Sequence, residues 1–261
     1  MKHGDFTELA KHYVNRPGYS LNILSVIKNH IECTFNEYDN LTVAEFGAGT
    51  GKLTECLLAL NLKGYSVEPN DAMREEGIKY TSNILNSNQF SWSKGTAEIS
   101  SLPDSCAGWA IMGSSFHWAD TKDALNEFNR ILKPGGFFTA IYNPRNIEIS
   151  EFHLKIEKNI QNIIPELKRV SSGSKSNMHD MEEKLLSSDY FGDLFFIEGS
   201  HIEIMSRDRY IGAWHSVNDI RVQAGEDRWQ QILDMINKET KDKTTIEVPY
   251  KTRAWTVRKL R

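Results

Sequence analysis

The amino-acid sequence predicts an α/β fold built on a doubly wound, mostly parallel sheet of seven strands, and three observations carry that expectation. Short apolar runs alternate with amphipathic stripes through the first half of the chain, three closely spaced glycines join the first such pair, and the connections are short. Alternating β and α elements with short links give a parallel sheet covered by helices on both faces.

Each element has its own signal. Leu24, Ile27 and Ile31 form a helical stripe over 21–31, and Asn36, Asp39 and Asn40 supply turn chemistry after it. The run 43–46, interrupted by Glu45, reads as the first strand, and Leu53, Cys56, Leu57 and Leu60 resume a stripe at helical spacing. Strand signals follow at 65–67, 90–92 and 109–112, with helices over 71–80 and 123–132, the latter presenting Leu125, Phe128 and Leu132 on one face. Pro134, Gly135 and Gly136 turn the chain into a strand at 137–142.

Beyond Tyr142 the pattern changes. Phe152, Ile156, Ile160, Ile163 and Leu167 mark a long amphipathic helix ending at the polar stretch 171–177, which reads as a mobile loop that admits substrate. A strand at 194–205, a helix carrying Trp229, Ile232, Leu233 and Ile236, and a strand at 244–257 complete the chain. Pro249 falls near the middle of that last strand, where proline belongs at a bulge or an edge.

Composition excludes several classes. With 31 Lys+Arg against 35 Asp+Glu, the net charge of -4 gives no general pull toward a phosphate backbone, so nucleic acid is not expected as a partner. The opening residues lack the apolar stretch of a secretion signal, and no segment approaches the ~18 uncharged apolar residues of a membrane span. Cys33, Cys56 and Cys106 are odd in number and far apart, which argues against a disulfide framework or a structural zinc and for a reducing, cytoplasmic setting. His3, His12, His30, His153, His179 and His201 show no ligand spacing, so no metal is expected.

The segment VAEFGAGTGKL at 43–53 carries the chemistry. Gly47, Gly49 and Gly51 let backbone approach a ligand at the start of the following helix. A nicotinamide fingerprint needs its third glycine at position 52, which is Lys52, and a dehydrogenase is disfavoured accordingly. Glu68 ends the next strand 21 residues after Gly47, close to the ~20-residue spacing at which an acid meets a ribose. A glycine turn alone also serves plain strand-to-helix bends; the turn, Glu68 and the β/α alternation together point to a cofactor site.

With E-x-G-x-G-x-G and the acid ending the second strand stand GTAEISSLPD at 95–104, SSFHWAD at 114–120 and ALNEFNRILKPGGFF at 124–138. As a set these resemble class I S-adenosylmethionine-dependent methyltransferases over about 40–145. The FHW element and the opening YVNRPGYS are similar to the small-molecule branch that contains the trans-aconitate methyltransferases, among the methyltransferase type 11 proteins. The resemblance implies a Rossmann-like single domain over 1–261, with an N-terminal helical lid at 1–40, a cofactor-binding core at 41–145, and cap helices plus the last two strands at 146–261. The insert 144–223 is expected to cap the cleft as a substrate cap.

Carried over by position, the resemblance places Gly47, Ala48 and Gly49 along the methionine part of S-adenosylmethionine, with Glu45 and Ser114 completing the set. Glu68 holds the ribose, Pro69 and Asn70 border the adenine, and Thr96, Ala97 and Glu98 meet its edge. Relatives often have Asp at the position of Thr96, so the backbone N–H of Ala97 becomes the expected adenine donor. Gly108, where relatives commonly have Asp, has no functional account. Tyr13, Arg16 and Tyr19 are expected to fold over the cofactor, Arg16 either pairing with its carboxylate or standing as a surface charge before Pro17.

His117, after the fourth strand, reads either as a proton acceptor for the methylated group or as a structural histidine beside Trp118. Ser114 and Ser115 support no Ser-His-Asp geometry. Tyr13, Tyr19, His117, Trp118, Tyr142, Arg145, Trp214 and His215 are the expected acceptor-binding residues, with Asn143 beside them. Trp214 also fits a core aromatic, and Arg145 and Arg221, which would suit an anionic acceptor, also fit solvated charges. The expected reaction is in-line methyl transfer to an oxygen or nitrogen of a small organic acceptor by a monomer or homodimer, without nucleic acid or membrane. The alternatives are a methyltransferase acting on RNA or protein and a non-catalytic S-adenosylmethionine-binding regulator.

Overall fold

A computed structural model of the chain describes residues 7–35, 41–84, 86–168 and 180–260. Its centre is a seven-stranded sheet in the order β3-β2-β1-β4-β5-β7-β6, made of β1 (Thr42–Phe46), β2 (Lys63–Val67), β3 (Phe90–Ser93), β4 (Ala107–Gly113), β5 (Leu132–Tyr142), β6 (Phe191–Ser206) and β7 (Thr245–Lys259). The first five strands are parallel, while β7 runs antiparallel between β5 and β6. Chain order reverses between β1 and β4, which opens a crevice at their carboxyl ends.

The helices are α1 (Ala10–Tyr13), α2 (Leu21–Phe35), α3 (Lys52–Ala59), α4 (Asp71–Thr81), α5 (Thr121–Ile131), α6 (Glu151–Ile163), α7 (Met181–Leu185), α8 (Arg207–His215) and α9 (Asn218–Glu239). Several begin at side-chain caps: Asn70 accepts from the Met73 N–H, Asp120 from Asp123 and Ser206 from Arg209. Side chains alternate across the strands. Val43, Trp109, Ile111, Phe137 and Ile141 meet α2 and α3 on one face, and Phe46, Met112, Phe128, Phe138 and Trp255 lie in the cluster on the other. A third cluster, with Ile156, Ile160, Tyr210, Trp214, Ile232 and Ile236, binds α6, α8 and α9 to the early part of β7.

Several boundaries differ from the sequence reading. α6 stops at Ile163 because Pro165 follows, and the residue before a proline disfavours helix; Leu167 still packs on the cap cluster from outside the helix. Pro134, Gly135 and Gly136 lie inside β5, beside an irregularity in its pairing with β4 at Ala107 and Trp109. α7 and α8 were not foreseen, and α9 begins at Asn218, well before Trp229, across a kink where Gly225 has φ 71°. The polar stretch 171–177 lies outside the described residues. Pro249 sits where β7 outruns β5: its carbonyl accepts the Asn146 N–H, so its missing N–H faces a loop and the ladder to β6 is spared. Among the described residues no helix is long and apolar enough to cross a membrane.

Candidate active site

The crevice holds a cleft of about 750 Å³ whose floor is the glycine turn after β1 and the ends of β2 and β4. Gly47 has φ 63°, and a Cβ there would stand 2.7 Å from the Ser115 hydroxyl, so only glycine lets the turn pass. Glu68, just past β2, is buried and braced by backbone: Oε2 accepts the Gly49 N–H at 2.8 Å and Oε1 the Asn70 N–H at 2.9 Å. Burial raises its carboxyl above the ordinary range, against the pull of those N–H groups and of Arg74. Each oxygen keeps a lone pair for a further donor.

Glu45 lies deeper. Its Oε2 accepts from Thr54 Oγ1 at 2.5 Å and Ser66 Oγ at 3.2 Å, and burial pushes its carboxyl up to about 8, against those two hydroxyls. Thr96 Oγ1 closes the next loop by accepting the N–H groups of Glu98 and Ile99. Glu98 Oε1 accepts the Asp120 N–H at 2.8 Å, tying that loop to the start of α5. Ala97 sits between them on the cleft wall.

Residues 13–19 form a strap across the cleft. Arg16 stacks on the Tyr13 ring at 4.1 Å and donates from Nε to Ser216 Oγ and from Nη2 to the Ser216 carbonyl, both at 2.8 Å. Asn143 Nδ2 donates to the Gly18 carbonyl at 2.7 Å, and Arg209 reaches the carbonyls of Asn15 and Arg16. The Tyr19 hydroxyl donates to Ser114 Oγ at 3.0 Å, and burial pushes that phenol far up, so it stays neutral. Ser114 itself has φ 54°, a left-handed backbone that is uncommon outside glycine and that clusters at functional sites.

The cleft gathers most of the residues expected from sequence: Tyr13, Arg16, Tyr19, Glu45, Gly47, Ala48, Gly49, Glu68, Pro69, Thr96, Ala97, Glu98, Ser114, His117, Trp118 and Arg145 all line it. His117 is half-buried in the short helical turn Phe116–Trp118, its ring 4.9 Å from that of Trp118, which is 50% exposed at the rim. Three expected acceptor residues are corrected, because they do not reach the lining. Tyr142 ends β5 pointing into the sheet's own core, beneath His117 at 6.0 Å. Trp214 is fully buried in the cap cluster, and His215, one residue on, turns outward against His12 at 5.2 Å. Arg221 pairs with Glu226 at 3.0 Å away from the lining. Sequence reasoning missed Glu157, Asn218, Asp219 and Tyr250 on the cap side of the cleft; α8 and the start of α9 lack a clean apolar stripe, and Asn-Asp before Ile220 was the one local hint of a helix start.

Against known proteins, the family described as "Methyltransferase domain" matches residues 44–140, the stretch that builds the cofactor floor. Over that stretch the chain carries a methyltransferase domain. Its methyl donor is S-adenosylmethionine. Along nearly its whole length the methyltransferase is similar to an uncharacterized methyltransferase of Schizosaccharomyces pombe, 24% identical over 94% of this chain and 91% of that protein. It is 32% identical to an uncharacterized methyltransferase of Mycobacterium tuberculosis over 40% of each chain. The solved structure of a candidate type II methyltransferase from Anaeromyxobacter dehalogenans shares its fold, with TM-score 0.61 at 16% identity over 92% of this chain and 97% of that one. Among the described residues of the methyltransferase no cluster of His, Cys, Asp and Glu is arranged to hold a metal ion.

Proposed function

We propose that this methyltransferase moves the methyl group of S-adenosylmethionine onto an oxygen or nitrogen of a small organic acceptor enclosed beneath the cap. The observation that carries this reading is the continuity of one cleft from the glycine turn to the cap wall, with the strap lying across it. A cleft of about 750 Å³ suits small molecules, whereas a folded RNA or protein acceptor calls for an open docking face.

The residues fit the donor. In this reading Glu68 offers lone pairs to two ribose hydroxyls, and the Ala97 N–H, in the loop that Thr96 closes, meets an adenine nitrogen. Arg16 commits two nitrogens to Ser216, so its part is to fasten the strap, with any contact to the donor's carboxylate left to its remaining nitrogen. S-adenosylmethionine supplies an electrophilic methyl on a positively charged sulfur. The chain's task is to hold the acceptor atom in line behind that methyl and to keep water out, an effect that contributes roughly 7–11 kcal/mol. In this reading His117 takes the proton that the acceptor atom loses, on a ring nitrogen.

The test is to incubate the protein with labelled S-adenosylmethionine and, separately, a small-metabolite fraction, total RNA and a protein extract. Label in the metabolite fraction is expected; label confined to RNA or protein overturns the small-acceptor reading. His117→Ala is expected to lower kcat roughly 100-fold with donor affinity retained, and unchanged turnover removes the base.

A further inference from the structure

We infer that the outer edge of β6 docks a second copy of this chain, the two strands pairing antiparallel about a two-fold axis through Gly199 so that the sheet continues from one molecule into the other. β6 ends the sheet, and its 16 residues contrast with the 4 of β3 at the opposite edge. Edge strands are normally kept from pairing by shortness, by lysine or proline, or by a bulge. β6 contains neither lysine nor proline, and its one break in register, between Gly192 and Phe195, lies at its start. β7 pairs with β5 only from Arg253 onward, so 199–206 and 245–252 form a two-stranded ribbon. Such a ribbon is marginal by itself, and this one carries Tyr250 to the cleft.

The occupant follows from the strand's complementarity to itself. From Phe196 to Ser206 every second residue is exposed, with Phe196 at 41%, Ile202 at 59% and Ile204 at 65%. Counted outward from Gly199, that face reads polar, apolar, apolar in both directions: Glu198, Phe196 and Leu194 on one side, Ser200, Ile202 and Ile204 on the other. A second copy related by the two-fold sets Phe196 against Ile202 and Leu194 against Ile204, each pair occurring twice, with Glu198 against Ser200. Moving the axis to Glu198 brings two like carboxylates face to face, and moving it to Ser200 sets Glu198 against Ile202. The acids do not oppose the approach, because each is matched within its own chain: Glu198 by Lys251 and Arg253 at 3.3 and 3.0 Å, Glu203 by Arg209 at 2.7 Å.

The opposite face of the edge is apolar as well. α2 lies over it, with the Ile23 side chain close to Gly199 and the His30 ring stacked on Phe195 at 5.1 Å. Val26 falls between those two on the same helical stripe and is 45% exposed. The two-fold brings the α2 helices of the two molecules towards each other above the joined strands, where Val26 loses exposure.

The experiment is light scattering on the purified full chain, combined with hydrogen exchange over β6. At micromolar concentration the expected mass is twice the 29.9 kDa of the chain, and amide exchange in peptides covering 194–206 is expected to slow as concentration rises. Ile202→Lys and Ile204→Lys, at exposed positions outside the cleft, should each return the monomer mass with an unchanged circular dichroism spectrum, whereas Ile202→Val should keep the dimer. A nitroxide on Ser200→Cys lies roughly 8 Å from its copy, two residues of offset across one strand spacing. It should broaden the electron paramagnetic resonance spectrum of the dimer relative to the same labelling of the chain without that cysteine, and the broadening should vanish with Ile202→Lys. A monomer at every concentration, a dimer that survives both lysine variants, exchange over β6 that ignores concentration, or a dimer without spectral broadening overturns the inference. Each of those results leaves the donor and acceptor readings of the cleft untouched.

Discussion

The two halves of the cleft are built on different principles. On the side proposed for the cofactor, the contacts offered come from backbone: a glycine turn, the loop at Ala97, and a carboxylate, Glu68, whose own orientation is set by the N–H groups of Gly49 and Asn70. On the cap side they come from side chains, with Arg145 after β5, Glu157 on α6, Asn218 and Asp219 on α9, and Tyr250 on β7. A floor fixed by main-chain geometry tolerates little change, whereas a wall assembled from four separate elements can alter one side chain at a time. The contrast teaches why a donor site and an acceptor site in one molecule can evolve at different rates.

That contrast can be broken or sharpened by measurement. The largest effect is expected from Glu68→Ala, which strips the proposed ribose contact and leaves two N–H groups without their acceptor. S-adenosylhomocysteine affinity should fall roughly 100-fold or more by calorimetry, with the melting temperature little altered because a buried charge is removed as well. If affinity holds, the floor does not depend on its one acid.

A middle-sized effect concerns Glu45. Its carboxyl titrates near 8 in the folded protein against an ordinary 4.5, so the folded state keeps a proton that the unfolded chain gives up between those values. Stability from this group is therefore complete below about pH 4.5 and lost as pH rises through 8. The melting temperature of the ligand-free protein should drop by about 5 °C between pH 5 and pH 9, and Glu45→Gln should flatten that slope. A slope unchanged in the variant would assign it to other groups.

The smallest effect is expected from Thr96→Asp. Aspartate can close the same turn through one oxygen and offer the other to the adenine amine, raising donor affinity about threefold. No gain would mean that the backbone already satisfies that edge.

How much of this was legible follows the same division. Strand, glycine turn, helix and the acid at 68 are local patterns whose spacing is set by chain geometry, so fold and floor could be read from residues 43–68 and their neighbours. The cap could not. α8 has apolar residues on more than one side, and the kink at Gly225 splits α9 so that its first turns carry no continuous stripe. The polar lining of the acceptor wall follows from which elements pack together, which depends on contacts distant in sequence. Tyr142, Trp214 and His215 show the limit in single residues: each lies in the right neighbourhood, but a rotation of one position along a helix or strand decides between lining, core and surface.

The strap has a kinetic corollary. Its far end is moored to the floor through Tyr19 and Ser114, while Arg16 and Arg209 moor its near end to the wall through Ser216 and the carbonyls of Asn15 and Arg16. On the proposed reading, a nucleoside as large as the donor is expected to enter when those moorings slip, and their re-forming closes the cleft over it. On the proposed small-acceptor reading, the expected order is donor on first, acceptor second, spent donor off last.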